Sequence, residues 1–138
     1  MSEKLKIDTG DAKMGPYSPG INVNDHIWLS GQIDVDAGDD IGSQTRGTLA
    51  KIDDLLAAAN SSKADLVKVT VMMTDIGFYG TINEVYAEWL GDTISPSRAA
   101  YEVSRLPGGA VVEIVCEAFR NSGEYRTDLP AELEEALV

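Results

Sequence analysis

Between Pro96 and Ile114 the chain puts charged side chains into two stretches that otherwise read as buried strand. Ala99, Tyr101 and Val103 alternate with Arg98, Glu102 and Ser104, and Val111, Val112, Ile114 and Val115 are strand formers. Two strands are therefore expected to flank the turn signal Pro107-Gly108-Gly109. Arg98 and Glu113 then fall on adjacent strands. If those strands pair, a guanidinium and a carboxylate line one cleft, the first able to grip an anion with two parallel N–H bonds and the second able to orient water. The plainer alternative is a structural ion pair, because Arg and Glu are seldom fully buried unless paired, and charge spacing alone favours it.

The rest of the chain frames those strands with a recognisable order of elements. Ile21-Asn22-Val23 and Ile27-Trp28-Leu29 flank Asn24-Asp25, a pair that tolerates left-handed backbone, so a hairpin is expected there. Leu49, Ile52, Leu56 and Ala59 recur at helical spacing over about Ser43 to Ala59, and Asn60-Ser61-Ser62 ends that helix. Val67, Val69, Val71 and Met73 alternate with Lys68, Thr70 and Met72, the period of a strand with one face toward a core. Ile82, Val85, Tyr86, Trp89 and Leu90 give a second helix its buried face from about Tyr79 to Leu90. Hairpin, helix, strand, helix and two strands describe an α+β domain with the helices on one face of a mixed sheet. Two helices cannot cover both faces of about six strands, so the uncovered face is expected to meet another chain.

Composition removes several function classes. With His26 and Cys116 the sole residues of their types, the chain lacks a His/Cys zinc set and any confident Ser-His-Asp or Cys-His arrangement. His26, beside Asp25, reads as a solvated turn residue. The acidic run Asp34 to Asp40 has Gly38 at the third calcium-ligand position and Thr45 where a bidentate Glu belongs, so it reads as a solvated loop and no metal is expected. Pro107-Gly108-Gly109 is a turn, with no phosphate-cradling glycine loop elsewhere. A net charge of −12, from 23 acidic against 11 basic residues, opposes binding to nucleic acid or anionic membranes. Scarce lysine and clustered Asp resemble adaptation to high intracellular salt, with an ordinary acidic surface as the alternative. A lone cysteine, a polar N-terminus and no apolar run near the ~20 residues of a membrane span fit a cytoplasmic protein.

The string Pro-x-Arg-x-x-x-Glu-x-x-Arg-Leu-Pro from Pro96 to Pro107, followed by Val112-Glu113-Ile114, resembles the C-terminal signature of the reactive-intermediate deaminase family, also called RidA or YjgF. Gly15-Pro16-Tyr17-Ser18, Ser30-Gly31-Gln32-Ile33, Gln44-Thr45-Arg46, Val67 to Val71 with Thr74-Asp75, and Asn83-Glu84-Val85-Tyr86 are similar to that family's other motifs in order. The resemblance spans roughly Lys13 to Arg120. It implies a chorismate-mutase-like (RidA-like) fold assembled as a homotrimer, with active sites between subunits. It also implies hydrolysis of small 2-imino acids to 2-keto acids and ammonia without a cofactor.

By the same resemblance, Arg98 binds the substrate carboxylate and Glu113 stands near the attacking water, while Tyr17, Ser30, Gly31, Asn83 and Ala100 line the pocket. The alternative for Tyr17 is a loop aromatic packed for stability, and for Asn83 a helix cap. Glu102 and Arg105 read as a structural ion pair. Three departures bear on substrate size: Ala100 brings no thiol, Pro19 stands where Gln is common, and Phe78-Tyr79 replaces Asp-Phe, so that the wall at Tyr79 gains a hydroxyl. Residues 1–120 are expected to form the domain and 121–138 an acidic extension, either a frayed tail or a helix with Leu133 and Leu137 on one face. Two other functions remain open, an RNA-cleaving translation inhibitor and a noncatalytic metabolite-binding or chaperone-like trimer.

Overall fold

The computed structural model describes residues 2–124; the extension expected at 121–138 lies mostly outside the described residues. Eight principal elements follow the order β1 (Leu5–Ile7), β2 (Gly20–Val23), β3 (His26–Leu29), α1 (Ile41–Ala58), β4 (Leu66–Met73), α2 (Tyr79–Leu90), β5 (Ser97–Glu102) and β6 (Val112–Phe119). They build one mixed six-stranded sheet in the order β1-β2-β3-β6-β4-β5, with both helices on one face. The expected α+β architecture is therefore present, with β1 an added edge strand too short to show a period.

Local chemistry explains the boundaries. The β2–β3 hairpin turns at Asn24 and Asp25, whose φ values of 50 and 68 suit a two-residue loop that matches strand twist. Helix α1 starts two residues earlier than its apolar period suggests, because the Asp40 carboxylate accepts the Ser43 N–H at 2.9 Å and caps it. Asn60, at φ 56, ends it in left-handed backbone. Helix α2 coincides with its sequence expectation. In β4, Leu66 is buried and Val67 is turned outward, since the pairing with β6 slips one residue between Leu66 and Lys68. A bulge of this kind overrides strict alternation.

The core lies between sheet and helices. Leu49, Ile52 and Leu56 of α1 and Ala59 just after it, with Ile82, Val85, Tyr86 and Leu90 of α2, pack on Val69, Val71, Met73, Val112, Ile114 and Cys116. Burying each such side chain contributes about 1.5–3 kcal/mol. The other face has no helix and carries Trp28 and Phe119, both about two-fifths exposed. His26 belongs to this face and is no solvated turn residue. It opens β3, stacks on Trp28 with ring centroids 3.6 Å apart, and its Nε2 lies 3.1 Å from Glu117.

The expected adjacency of Arg98 and Glu113 does not occur. Strand β5 pairs in parallel with β4, opposite Val69 at Arg98, while β6 lies on the other side of β4 in antiparallel register. The connection β4-α2-β5 is a crossover unit, which makes its two strands parallel neighbours. The Pro107–Gly109 turn thus carries the chain past β4 instead of closing a hairpin. Two strand spacings, roughly 10 Å, separate β5 from β6. Register also puts the two side chains on opposite faces: Arg98 with the buried Val69, and Glu113 opposite Met72 on the helix-free face.

Candidate functional site

The residues singled out from sequence divide into two clusters, one on each face of the sheet. On the helix side, Tyr79, Asn83 and Tyr86 recur at spacings of four and three along α2 and present one stripe to β5. Arg98 lies across it. Its Nη2 donates to Asn83 Oδ1 at 2.8 Å and to Tyr79 Oη at 3.0 Å, and its guanidinium carbon sits 5.0 Å from the Tyr86 ring centroid and 5.5 Å from that of Tyr79. Ala100, two residues along the same strand face, joins Val71, Met73 and Ile82 behind it. Asn83 is accordingly no helix cap: it lies inside α2 and spends its amide oxygen on Arg98.

Two features make the Arg98 cluster unlike a structural ion pair. Among the described residues no carboxylate comes within salt-bridge distance of Arg98, so its charge is held by neutral acceptors and aromatic faces. Below it, burial pushes the Tyr86 phenol up to about 12, with the thiol of Cys116 adding to the rise and Arg98 opposing it. Tyr86 is thus a neutral floor. Glu102, expected to pair with Arg105, instead accepts the Ile76 N–H at 2.8 Å, and no ion pair of Arg105 exists among the described residues. That contact fastens the end of β5 to the Ile76–Phe78 turn, which delivers Tyr79 to Arg98.

The second cluster surrounds Glu113 in an open cleft of about 590 Å³ lined by Met14, Tyr17, Ser30, Gly31 and Gly108 among others. Its floor is a strand irregularity. From Trp28, opposite Glu117, to Gln32, opposite Ile114, β3 and its continuation advance four residues while β6 advances three. The extra residue lies in the stretch that holds Ser30 and Gly31, and such bulges re-aim side chains beside sites. Gly31 has to be small: a Cβ there would come 2.2 Å from Glu113 Oε2 and 2.8 Å from its Cδ. Gly108, at φ +66, makes the turn that brings backbone against Met14.

The chemistry of this cleft is that of a carboxyl with little to stabilise its charge. Burial raises the Glu113 pKa above its ordinary value, and no cation lies within salt-bridge distance among the described residues. Ser30 Oγ donates to the Ser18 carbonyl at 2.7 Å, tying the Gly15–Ser18 loop to the end of β3 and leaving the hydroxyl oxygen able to accept. Tyr17, nearly half exposed, forms one wall instead of packing into the core. Among the described residues no group of three His, Cys, Asp or Glu side chains is placed to hold a metal ion.

The family model described as endoribonuclease L-PSP matches residues 9–120. The chain belongs to this family, the Rid family. It is 38% identical over 126 residues to a RutC family protein of Pyrococcus horikoshii, covering 87% of this chain and 99% of that one. To the mouse protein named 2-iminobutanoate/2-iminopropanoate deaminase it is 34% identical over 120 residues, 83% of this chain and 87% of that one. Among solved structures, that of Escherichia coli TdcF with bound serine superposes with a TM-score of 0.79 at 32% identity, covering 85% of this chain and 99% of the other.

Within this Rid-family fold the structure brings Tyr17, Ser30, Gly31 and Glu113 together on one side, and Tyr79, Asn83, Arg98 and Ala100 on the other. Sequence reading missed Met14, Gly108 and Tyr86 as neighbours of these groups. Tyr86 could have been found from its spacing of three after Asn83; Met14 and Gly108 come from loops, where no period points to a partner.

Proposed function

We propose that this chain is a hydrolytic deaminase of small 2-imino acids, and that its site is completed where the Arg98 cluster of one subunit meets the Glu113 cleft of the next in a homotrimer. The observation that carries this reading is the split itself. A guanidinium without a carboxylate and a carboxyl without a cation stand on opposite faces of one sheet, each left open to a ligand. The helix-free face, with Trp28 and Phe119 exposed, supplies a surface for other copies of the chain. The mouse relative's name gives the reaction class, and TdcF carries a bound amino acid with a carboxylate of the kind Arg98 would hold.

The steps follow from the groups present. Arg98 holds the carboxylate of a protonated imine, whose C2 is already electrophilic. Glu113 accepts a proton from water as the water oxygen bonds to C2 and the C=N pair moves to nitrogen, giving a carbinolamine. The same carboxyl returns the proton to nitrogen, and the C–N bond breaks to release ammonia. The hydroxyl then loses its proton to ammonia as the keto group forms. A carboxyl with its pKa raised by burial is suited to both transfers.

The family description also names ribonuclease activity, and the net charge of −12 weighs against an RNA substrate. The deciding experiment is subunit mixing. Arg98→Ala and Glu113→Gln proteins should each be slow at diverting 2-iminobutanoate from semicarbazide. Unfolded and refolded together, they should regain roughly a quarter of wild-type activity through sites that combine two intact halves. No recovery by a mixed trimer removes the shared site; cleavage of labelled RNA by wild type but by neither variant favours the ribonuclease reading.

A further inference from the structure

Resting on the deaminase reading, we propose that the Tyr79 hydroxyl is a second donor to the substrate carboxylate, so that this chain grips the acid with one guanidinium edge atom and one phenol instead of a two-pronged arginine fork. Arg98 has too few free hydrogens for a fork. A guanidinium offers two paired-donor edges, Nε with Nη2 and Nη1 with Nη2, and both contain Nη2. Nη2 has two hydrogens. In this structure they go to Asn83 Oδ1 at 2.8 Å and Tyr79 Oη at 3.0 Å. Neither edge is free as a pair, and Nη1 and Nε are what remain to an incoming carboxylate.

Tyr79 restores the missing donor. Its oxygen accepts from a cation, so its own O–H dipole is turned away from the guanidinium, and the proton has no acceptor among the described residues. The side chain is 39% exposed, within reach of a ligand. A carboxylate that places one oxygen on Nη1 or Nε of Arg98 can therefore take the Tyr79 proton with the other. Glu102, by holding the Ile76–Phe78 turn, fixes where that hydroxyl stands.

Tyr79→Phe in the full chain tests this, since it keeps the ring over Arg98 and deletes a single hydroxyl. The variant should raise KM for 2-iminobutanoate and Kd for 2-oxobutanoate by roughly tenfold or more, the worth of one hydrogen bond to a charged group, with kcat held. Kd for 2-oxobutanamide, whose carbonyl oxygen accepts but carries no charge, should rise by distinctly less. Equal affinity for the acid overturns the proposal, and so does tighter binding, which would make the hydroxyl a plug on the fork. Wild type that binds 2-oxobutanoate in a Tyr79-dependent way without hydrolysing imines keeps this inference and removes the deaminase reading. Imine hydrolysis indifferent to Tyr79→Phe does the reverse, and a wild type that neither binds nor hydrolyses overturns both.

Discussion

Arg98 is held by three side chains from one helix, against a wall of Val71, Met73 and Ile82, whereas Glu113 is surrounded by segments from three separate parts of the chain. The first arrangement is part of the core's own packing, and its geometry is set by helix pitch and strand register. The second depends on the Gly15–Ser18 loop, the bulged end of β3 and the Pro107–Gly109 turn. Groups placed on regular elements are positioned more accurately than those placed on loops. Recognition of charge is thus expected to be rigid, and the shape of the cleft around the reacting carbon adjustable.

The largest effect should come from the loop-built side. Glu113→Gln keeps the shape of the side chain and removes its proton transfer, so kcat should fall about 10²- to 10⁴-fold with KM nearly unchanged. Steady-state kinetics checks this, and a wild-type kcat in a folded variant would leave Glu113 without a role. Arg98→Ala should lower kcat/KM by roughly 30-fold to several thousand-fold on imines bearing a carboxylate. Its unfolding midpoint should fall only modestly, because two hydrogen bonds and the aromatic contacts of a partly exposed side chain are lost but no ion pair within the described residues is broken. Arg98→Lys should recover part of the loss, since a point charge keeps attraction and loses the contacts to Asn83 and Tyr79. A collapse in stability for Arg98→Ala would instead make the helix-side cluster structural.

Gly31→Ala should have a smaller effect, about tenfold on kcat, by pushing the Glu113 carboxyl away from the 2.2 Å contact a methyl would impose. A crystal structure of the variant with Glu113 unmoved would contradict that account. The smallest effect is on stability. Burial raises the Glu113 pKa in the folded chain above its unfolded value, so its contribution is fully present below the unfolded pKa and is lost as pH rises through the folded one. Relative to wild type, Glu113→Gln should gain stability over that interval in paired urea titrations. The opposite sign would show a charge drawing the carboxyl down and would remove burial as the influence that controls it.

Much of this contrast was legible in the sequence, and the parts that were not have physical reasons. The bounds of α2 and the buried stripes of both helices follow from apolar spacing, because a helix facing one core obeys one period. Strand alternation failed at Val67, where a bulge changes phase without leaving a mark in composition. Arg98 and Glu113 are individually recognisable from their motif, but their relative placement is not, because β4 lies between their strands. The strand-helix-strand run from β4 to β5 already implied parallel neighbours, but it leaves β6 a choice between β4 and the free edge of β5, and the structure has it on β4. Glu102 shows the opposite limit: a carboxylate three residues from an arginine looks like a pair in sequence, and in space it serves a backbone N–H.

The extra residue between Trp28 and Gln32 has a consequence for how this chain tolerates change. A strand alternates with period two, so a length change of one residue is an error of phase as much as of length. Losing Gly31 would restore regular pairing with β6 and shift everything before it by one position relative to its partner, exchanging inward and outward side chains along β3. Ile27 and Leu29, now in the core, would trade faces with His26 and Trp28. Among variants of this chain, single-residue deletions from Ser30 to Ile33 should therefore be far rarer than substitutions there, while the Asp36–Asp39 loop, outside any strand, should accept both.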